Sequence, residues 1–264
     1  MDKDMYTEKP TVSVIGSGNV GWHLTKRLFD CGYPVCSVFS RDSDKAELLA
    51  KEVGAKAVCD LSQIMVGDIC LITVKDNAYR EVIAALPKRN AVYLHTSGSL
   101  PMTILQELSL HYGVLYPFQS LSREVAIDFN HVPICTEASD VQAGKTVTDL
   151  AKSLSPLYYS LNTEQRLFLH LSGVFASNFT NAMYVIAQQI LQQQQIDFDI
   201  ALPLIRETVC KISNLSPKEV QTGPAARNDT IIIDKHLNML QNPSWKELYR
   251  LITQIIREQQ TVLK

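Results

Sequence analysis

The chain has 264 residues, of which 46% are apolar and 20% are charged. Its 25 lysines and arginines nearly balance its 27 aspartates and glutamates, which excludes a protein that relies on a strong basic field to hold nucleic acid. The length fits one large domain or two smaller ones. The six cysteines form no C-x-x-C pair and the first ten residues do not resemble a secretory leader, so we expect reduced thiols and a cytoplasmic location.

The first part of the chain alternates short β-branched runs with segments of helical periodicity. The strand-like runs are residues 11–15, 35–39, 57–59, 69–74 and 91–96, and the helix-like segments between them are 19–31, 43–53 and 77–86. Solid apolar strands are typical of burial on both faces, so the pattern predicts a doubly wound parallel sheet covered by helices, an α/β fold. Residues 114–116, 132–135 and 158–161 are candidates to continue the sheet.

The character of the sequence changes after Asn162, where the strand-like runs cease. Residues 163–195 have the period of one long helix, and further helices are predicted over 198–215, 230–240 and 244–263. We therefore predict a sheet domain over residues 1–162 and an all-helical domain over residues 163–264. Residues 167–196 carry no Asp, Glu, Lys or Arg, but polar groups interrupt any membrane-spanning window, so a helix buried in protein is expected.

A glycine-rich loop joins the first predicted strand to the first predicted helix. G-x-G-x-x-G in this context is typical of a loop that binds the pyrophosphate of a dinucleotide at a helix N-terminus, although an unrelated glycine-rich turn is the alternative. Gly16 would allow the tight turn, Gly18 the approach of the phosphates, and Gly21 the packing of helix on strand. The expected contacts of the dinucleotide are Gly16, Ser17, Gly18, Asn19, Val20 and Gly21, with Thr73 and Val74 at the end of the fourth strand.

The end of the second predicted strand favours NADP over NAD. An acidic residue normally binds the ribose 2′-hydroxyl of NAD here, and a methyltransferase would usually want one as well. This chain has Ser40-Arg41, followed by Ser43 and Lys45, which suit a 2′-phosphate. Asp42 argues against this assignment, and a solvated Arg41 with Ser43 as a helix cap is the alternative.

Two further strand ends carry candidate chemistry, because ligands of a doubly wound sheet lie at the carboxyl ends of its strands. His95 and Ser97 follow the fifth strand and are candidates to bind or protonate a substrate oxygen, although His95 fits a core histidine equally well. Lys75 is expected to be solvated, with a desolvated acid as the alternative. The sequence contains no P-loop lysine pattern and no metal-ligand cluster, so no metal is expected.

The long uncharged helix carries a polar stripe. At about 100° per residue, one arc of less than a third of a turn holds His170, Val174, Ser177, Asn178 and Asn181. A solvent-exposed face would use lysine and glutamate, so an uncharged stripe favours the wall of a ligand cleft. A hydrogen-bonded seam between packed helices is the alternative.

The segment from Thr222 to Asp229 is a compact turn before a predicted helix. Arg227 would either bind an anionic substrate in a bidentate fork or pair with Asp229. Asp229 suits the N-cap of the helix that begins near Thr230.

The chain resembles the NADP oxidoreductases in which a Rossmann domain precedes a helical domain of unknown function. Their relatives include the deazaflavin-dependent NADP oxidoreductases, pyrroline-5-carboxylate reductase and ketopantoate reductase. The resemblance covers nearly the whole chain and rests on residues 16–21, 40–41, 94–98, 170–178 and 222–229, with His236 downstream. The chain departs from the family pattern at Tyr116, where a histidine is expected, at Lys75, where proline is common, and at Asn228, where glycine is common.

The resemblance implies a Rossmann domain followed by an all-helical domain like that of the 6-phosphogluconate dehydrogenase superfamily, often dimeric through its helices. Related reductases carry polar catalytic side chains on the equivalent long helix, which supports the cleft assignment of His170 and Asn178. A homodimer through the C-terminal helices is the expected assembly, with a small-molecule substrate and without nucleic-acid or membrane partners.

The leading hypothesis is an NADP(H)-dependent oxidoreductase that passes a hydride between the nicotinamide and a small carbonyl or imine compound in an interdomain cleft. We expect His170 to act as acid and base and Asn178 to orient the substrate, with His95 or Ser97 assisting. The expected substrate contacts are Ser177, Asn181 and Arg227. A dinucleotide-binding regulatory or scaffold protein without turnover is the alternative, which Tyr116 and the lack of a charged acid–base pair favour.

Overall fold

The computed structural model describes residues 9–261. Its strands are β1 (Val12–Ile15), β2 (Val35–Phe39), β3 (Lys56–Val58), β4 (Ile69–Ile72), β5 (Val92–His95), β6 (Tyr112–Pro117), β7 (Ile134–Ala138) and β8 (Tyr158–Ser160). They form one eight-stranded sheet in the order β3-β2-β1-β4-β5-β6-β7-β8. Neighbouring strands are parallel except for the antiparallel pair β6–β7. The predicted doubly wound α/β sheet is confirmed.

Helices cover both faces of this sheet and bury its apolar side chains. They are α1 (Asn19–Asp30), α2 (Ser43–Glu52), α3 (Tyr79–Ala85) and α4 (Val141–Leu154). One core cluster joins Leu24 and Leu28 of α1 and Val147 of α4 to the sheet, and the opposite cluster joins Tyr79 and Val82 of α3 to it. Each such side chain, when fully buried, contributes about 1.5–3 kcal/mol. The solid apolar strands noted in the sequence follow from this burial on both faces.

The antiparallel pair β6–β7 departs from the predicted all-parallel sheet. Strands can pair in parallel only across a long crossover, usually a helix, whereas residues 118–133 contain just a short 3₁₀ turn, Phe129–His131. The chain therefore returns beside the strand that it has just left. Helix α4 then provides the crossover that makes β8 parallel to β7.

Beyond Asn162 the described residues form helices and the turns that connect them. The predicted long helix consists of α5 (Thr163–Gly173), a π turn (Val174–Phe179) and α6 (Thr180–Gln192). Asn162 and Gln165 form a capping box that begins α5. The remaining helices are α7 (Leu202–Ile212), α8 (Thr230–Met239) and α9 (Pro243–Thr261), and the last two residues predicted for α9 lie outside the described range.

The chain divides into two compact units, Met1–Ala182 and Met183–Lys264. The boundary near Asn162 marks the change from strands to helices and, as a domain limit, stays a prediction. Among the described residues, no helix has the length and apolarity to cross a membrane. The prediction that the uncharged helix is buried is wrong for the single chain, because Leu167, Phe168, Leu171, Phe175 and Phe179 are 47% to 64% exposed.

Candidate functional site

The loop after β1 has the geometry of a phosphate-binding turn. Gly16 has φ +112°, a conformation that glycine adopts without strain. A Cβ on Gly21 would lie 2.2 Å from the Gly16 carbonyl oxygen and 2.5 Å from Oγ1 of Thr73, so α1 can pack here only through glycine. A Cβ on Gly18 would meet nothing within 4 Å. The first turn of α1 thus faces open space. Its backbone N–H groups receive no side-chain hydrogen bond from the N-cap residue, because that residue is glycine.

A cleft of about 380 Å³ lies beside this loop, and we call it the loop cleft. Seven of the predicted dinucleotide contacts line it: Gly16, Ser17, Gly18, Ser40, Arg41, Thr73 and Val74. Lys45 and Lys75 also line it, and Lys75 is exposed as expected. The loop cleft therefore joins the glycine loop to the carboxyl ends of β2 and β4.

Four of the predicted dinucleotide contacts are absent from the lining of the loop cleft, namely Asn19, Val20, Gly21 and Ser43. Val20 packs against the core, and Gly21 is a buried residue of α1. The Asn19 side chain donates from Nδ2 to the carbonyl oxygen of Leu121 at 2.9 Å. For Asn19, Val20 and Gly21 the structure supports a role in shaping the loop, whereas Ser43, the first residue of α2, stays a predicted contact.

The helix cap at the end of β2 is Asp42, which corrects the alternative that assigned it to Ser43. Its Oδ1 accepts from the backbone N–H of Lys45 at 3.2 Å, and its Oδ2 lies 2.8 Å from Nζ of Lys45. These hydrogen bonds to Lys45 lower the pKa of the Asp42 carboxyl group. The acidic residue that argued against NADP is therefore paired, whereas the exposed guanidinium of Arg41 has no partner within residues 9–261.

A second cleft, of about 240 Å³, lies between the loop after β6 and the long helix, and we call it the helix cleft. The end of β6 contributes Tyr116, and the loop contributes Phe118, Gln119 and Ser120. The helix contributes His170, Gly173, Val174, Ala176, Ser177 and Asn178. The two elements approach closely, because a Cβ on Gly173 would lie 2.7 Å from Cε2 of Phe118. Four of the five residues of the predicted polar stripe thus share one cleft, and Asn181 is outside its lining.

The π turn contributes to this arrangement, because it adds one residue to a helical turn and so changes which side chains share a face. The Thr180 hydroxyl donates to the carbonyl oxygen of Phe175, five residues earlier, at 2.9 Å. The Ser172 hydroxyl donates to the carbonyl oxygen of Leu169 at 2.7 Å. Both hydroxyl groups are used within the helix, as expected for residues outside the stripe.

Tyr116 and His170 face each other across the helix cleft. The phenol oxygen of Tyr116 lies 3.1 Å from Nδ1 of His170, and the two rings meet edge to face with centroids 6.1 Å apart. A Cβ on Gly98 would lie 2.6 Å from that Nδ1 and 2.9 Å from Cζ of Tyr116. Gly98 therefore leaves the space that the pair occupies. The sequence marked Tyr116 only as a departure from a family pattern, yet its position at the end of β6, beside β5, was a signal for the site.

Arg166 anchors the start of the long helix, although no motif in the sequence marks it. Its Nη1 lies 2.5 Å from Oε2 of Glu137 on β7, its Nε donates to the carbonyl oxygen of Ser97 at 3.2 Å, and its Nη2 donates to that of Leu100. The Thr163 hydroxyl donates to the other oxygen of Glu137 at 2.7 Å. His170 follows Arg166 by about one helical turn, so this network fixes the element that carries it.

His95 and Ser97 are held inside the fold, which corrects their predicted contact with substrate. His95 is fully buried, and its Nδ1 accepts from the backbone N–H of Ser97 at 3.1 Å. Burial, followed by repulsion from Arg166, lowers the pKa of His95 to about 3, so the imidazole stays neutral. The Ser97 hydroxyl oxygen accepts from the backbone N–H groups of Ser99 and Leu100, at 3.1 and 3.0 Å. We assign both side chains a structural role.

The turn before α8 belongs to the second compact unit. Asp229 caps α8 by accepting from the backbone N–H of Ile232 at 3.2 Å, which confirms the predicted cap. Asn228 has φ +55°, a conformation that explains why glycine suits this position. Arg227 is exposed, and its predicted contact with substrate stays a prediction. The structure describes no group of His, Cys, Asp or Glu between residues 9 and 261 that could hold a metal ion.

Comparisons with known proteins match both parts of the chain. Residues 11–94 match the family model described as NADP oxidoreductase coenzyme F420-dependent, and residues 132–256 match a domain of unknown function, DUF2520. A crystal structure from Bacteroides fragilis, named a putative NADP oxidoreductase, shares 36% identity at a TM-score of 0.89 and covers 95% of this chain and 99% of its own. No curated protein matches the chain.

More distant solved structures are similar in fold alone. A reductive aminase from Aspergillus terreus, in complex with NADPH and ethyl levulinate, shares 14% identity at a TM-score of 0.73 over 95% of this chain and 94% of that chain. A pyrroline-5-carboxylate reductase from Coxiella burnetii shares 14% identity at a TM-score of 0.57, over 97% and 99% of the two chains.

Proposed function

Because this chain belongs to the NADP oxidoreductase family whose second domain is DUF2520, we propose that it is an NADP(H)-dependent oxidoreductase of a small carbonyl or imine compound. A bound nicotinamide would supply or accept the hydride. The observation that carries this proposal is that a cleft suited to a dinucleotide and a cleft with an exposed histidine are built on segments in direct contact. Asn19, which follows Gly18 in the glycine loop, donates to the carbonyl oxygen of Leu121, next to Ser120 of the helix cleft, so one hydrogen bond joins the two segments.

The loop cleft suits the phosphates of a dinucleotide. The open space beside Gly18 gives a pyrophosphate access to the backbone, and the N-terminus of α1 offers N–H groups with a partial positive charge. Arg41 and Lys45 line the cleft at the end of β2, where a ribose 2′-phosphate would need cations. Because Asp42 is paired with Lys45, the exposed guanidinium of Arg41 is the group that favours NADP over NAD.

Substitution of Arg41 tests the choice of cofactor. A hydrogen bond to a charged group contributes about 1.5–3 kcal/mol, so Arg41→Ala should weaken NADPH binding about tenfold or more and leave NADH binding nearly unchanged. Isothermal titration of both cofactors measures this, with Arg89→Ala, an exposed position outside the loop cleft, as the matched control. Equal affinity of the wild type for the two cofactors would contradict the assignment.

The helix cleft offers hydroxyl, amide and imidazole groups to a substrate, and no charged side chain is among its lining residues. We assign proton exchange to His170 and orientation of the substrate to Asn178 and Ser177. The uncharged walls suit a carbonyl or imine group, which needs a proton donor and hydrogen bonds rather than a counter-ion.

Turnover tests these roles. A panel of carbonyl and imine compounds is screened for oxidation of NADPH, and His170→Ala should lower the best rate about 100-fold or more, since a positioned acid typically contributes that much. Asn178→Ala should raise KM and lower kcat, whereas Ser172→Ala, outside the cleft on the same helix, should change neither. NADPH binding without turnover of any compound would favour the alternative of a non-catalytic dinucleotide-binding protein.

The proposed protein is also a homodimer through the long helix, and its proposed location is a reducing cytoplasm. Exposed apolar side chains recur on one face of the helix at Phe168, Leu171, Phe175 and Phe179, and a second copy of the chain would cover them. All six cysteines are unpaired, which suits a reducing compartment.

A further inference from the structure

The proton chemistry of the helix cleft depends on which nitrogen of His170 is free. Nδ1 faces the phenol oxygen of Tyr116 at 3.1 Å, while Nε2 has no hydrogen-bond partner among the residues that the structure describes. The ring belongs to an exposed residue of the cleft wall, so Nε2 is open to a ligand there. In histidine, the hydrogen bond made by one nitrogen determines the protonation of the other.

The hydrogen bond between the two rings can run in either direction when the imidazole is neutral, but in one direction only when it is charged. An imidazolium carries protons on both nitrogens, so Nδ1–H must then donate to the phenol oxygen. Burial raises the pKa of Tyr116 to about 12, so the phenol keeps its own proton and accepts through a lone pair. The hydrogen bond donated by Nδ1–H to Tyr116 is therefore possible in both protonation states of His170 and requires no rearrangement between them.

We propose that Tyr116 is a positioning residue that accepts a hydrogen bond from Nδ1–H of His170 and so leaves Nε2 as the nitrogen that exchanges a proton with the substrate. This inference rests on the proposed function and adds a residue to it. When a carbonyl or imine is reduced, the proton on Nε2 moves to the substrate oxygen or nitrogen, and Nδ1 keeps its proton. In the opposite direction, the lone pair on Nε2 takes the proton from the alcohol or amine.

Both partners of this hydrogen bond are held by the fold. Tyr116 is part of β6, which pairs with β5 and β7, and its ring also meets Phe118 edge to face with centroids 6.3 Å apart. The helix that carries His170 is fixed by the buried Arg166. The missing Cβ of Gly98 allows both rings to approach. Three separate elements thus converge on one pair, so the geometry does not depend on a mobile side chain.

The tautomer of His170 can be measured without any cofactor or substrate. Protonated and unprotonated imidazole nitrogens differ widely in ¹⁵N chemical shift, so a long-range ¹H–¹⁵N spectrum of the full chain with ¹⁵N-labelled histidine, recorded from pH 5 to 9, reports both nitrogens. His170→Asn assigns the signals among the six histidines. We expect the neutral ring of the wild type to carry its proton on Nδ1. In Tyr116→Phe the proton should move mainly to Nε2, the tautomer that free histidine prefers.

Two further variants complete the design. Gly98→Ala keeps Tyr116 but introduces a Cβ 2.6 Å from Nδ1, so it should also abolish the Nδ1–H tautomer, and it serves if Tyr116→Phe does not fold. Tyr249→Phe is the matched control, because Tyr249 makes the same kind of contact, 2.9 Å from Nδ1 of His236, in the other compact unit. It should leave the signals of His170 unchanged.

A wild-type ring with its proton on Nε2, or a Tyr116→Phe ring that keeps it on Nδ1, would overturn the proposal. Either result concerns the hydrogen bond alone, because no NADPH is present. Failure of the proposed function would instead appear as the absence of NADPH oxidation with every compound of the panel. The two failures are therefore distinguishable.

Discussion

Arg166 carries a charge in the interior of the first unit, since only 1% of its side chain is exposed. The ion pair with Glu137 and the carbonyl oxygens of Ser97 and Leu100 offset the cost of removing this charge from water. The residue thereby connects β7, the loop after β5 and the long helix. Removal of the guanidinium would leave the Glu137 carboxylate, which is 12% exposed, with the Thr163 hydroxyl as a remaining partner.

Arg166→Met should lower the free energy of unfolding by about 3–5 kcal/mol, because it leaves the largely buried carboxylate of Glu137 without its counter-ion. Urea denaturation followed by circular dichroism measures the loss. Lys145→Met is the control, since Lys145 pairs with Asp149 at 2.8 Å on the surface and should cost less than about 1 kcal/mol. Equal losses for the two variants would show that the Arg166 network does not stabilise the fold.

The sequence predicts those parts of the site that follow from a local rule. It does not predict contacts between residues that are distant in sequence. The glycine loop has a fixed spacing, and its predicted geometry is found. Asp42 and Ser43 are both good N-caps, so composition could not tell which of them begins α2. Arg166 and Glu137 are 29 positions apart, and only the order of strands brings them together. The neutral, buried state of His95 likewise depends on packing that the sequence does not reveal.

The glycine loop shows how an element divides its positions between folding and binding. Gly21→Ala should destabilise the fold by about 1–3 kcal/mol or prevent folding, because its Cβ would overlap backbone atoms. Gly18→Ala should fold with an unchanged melting temperature, since its Cβ has open space and its φ of −69° suits alanine. That Cβ would occupy the space proposed for the pyrophosphate, so NADPH affinity should fall at least about tenfold.

Calorimetric melting and NADPH titration of the two variants separate the effects. The proposal that the loop binds a dinucleotide would be contradicted by a Gly18→Ala protein with wild-type affinity for NADPH. Gly32 is also a glycine in a turn, but it lies outside the loop cleft. Gly32→Ala should lower the stability of the fold, because Gly32 has φ +83°, and should leave the affinity for NADPH unchanged.

The sequence predicts the strands to within a few residues, because buried parallel strands are short and solidly apolar. Helix α4 (Val141–Leu154) was not predicted, although Asp140 begins it by accepting from the N–H groups of Gln142 and Ala143 at 2.7 and 3.0 Å. Its sequence contains Gly144 and several β-branched residues, which have low helix propensity. Tertiary packing against the sheet overrides that propensity, and a single sequence does not show it.

The exposed apolar face of the long helix is not explained by any contact within a single chain. Phe168, Leu171, Phe175 and Phe179 recur at helical spacing away from the cleft residues, and the rings of Phe175 and Phe179 touch with centroids 5.0 Å apart. Contiguous apolar patches on soluble proteins usually mark an interaction surface.

Phe168→Glu should convert the expected dimer into a monomer, because the dimer interface would then bury one carboxylate from each copy. The dissociation constant should rise at least about 30-fold, the effect of losing a central interface residue. Sedimentation velocity over a range of concentrations measures it. Leu110→Glu is the control, since Leu110 is 83% exposed on a loop away from the helix and should leave the dimer intact. A wild-type protein that sediments as a monomer at all concentrations would refute the dimer.

The π turn has a consequence for the comparison of this chain with its relatives. Between His170 and Asn178 the helix contains one residue more than a regular α-helix needs to bring the same side chains to the same face. A relative with a regular helix here will match this chain residue for residue on only one side of the turn, unless a one-residue gap is opened within Val174–Phe179. Without that gap, every later position would be compared with a neighbour rotated by about 100° and displaced by about 1.5 Å along the axis. Transfer of residue roles across the family therefore requires the turn to be located first.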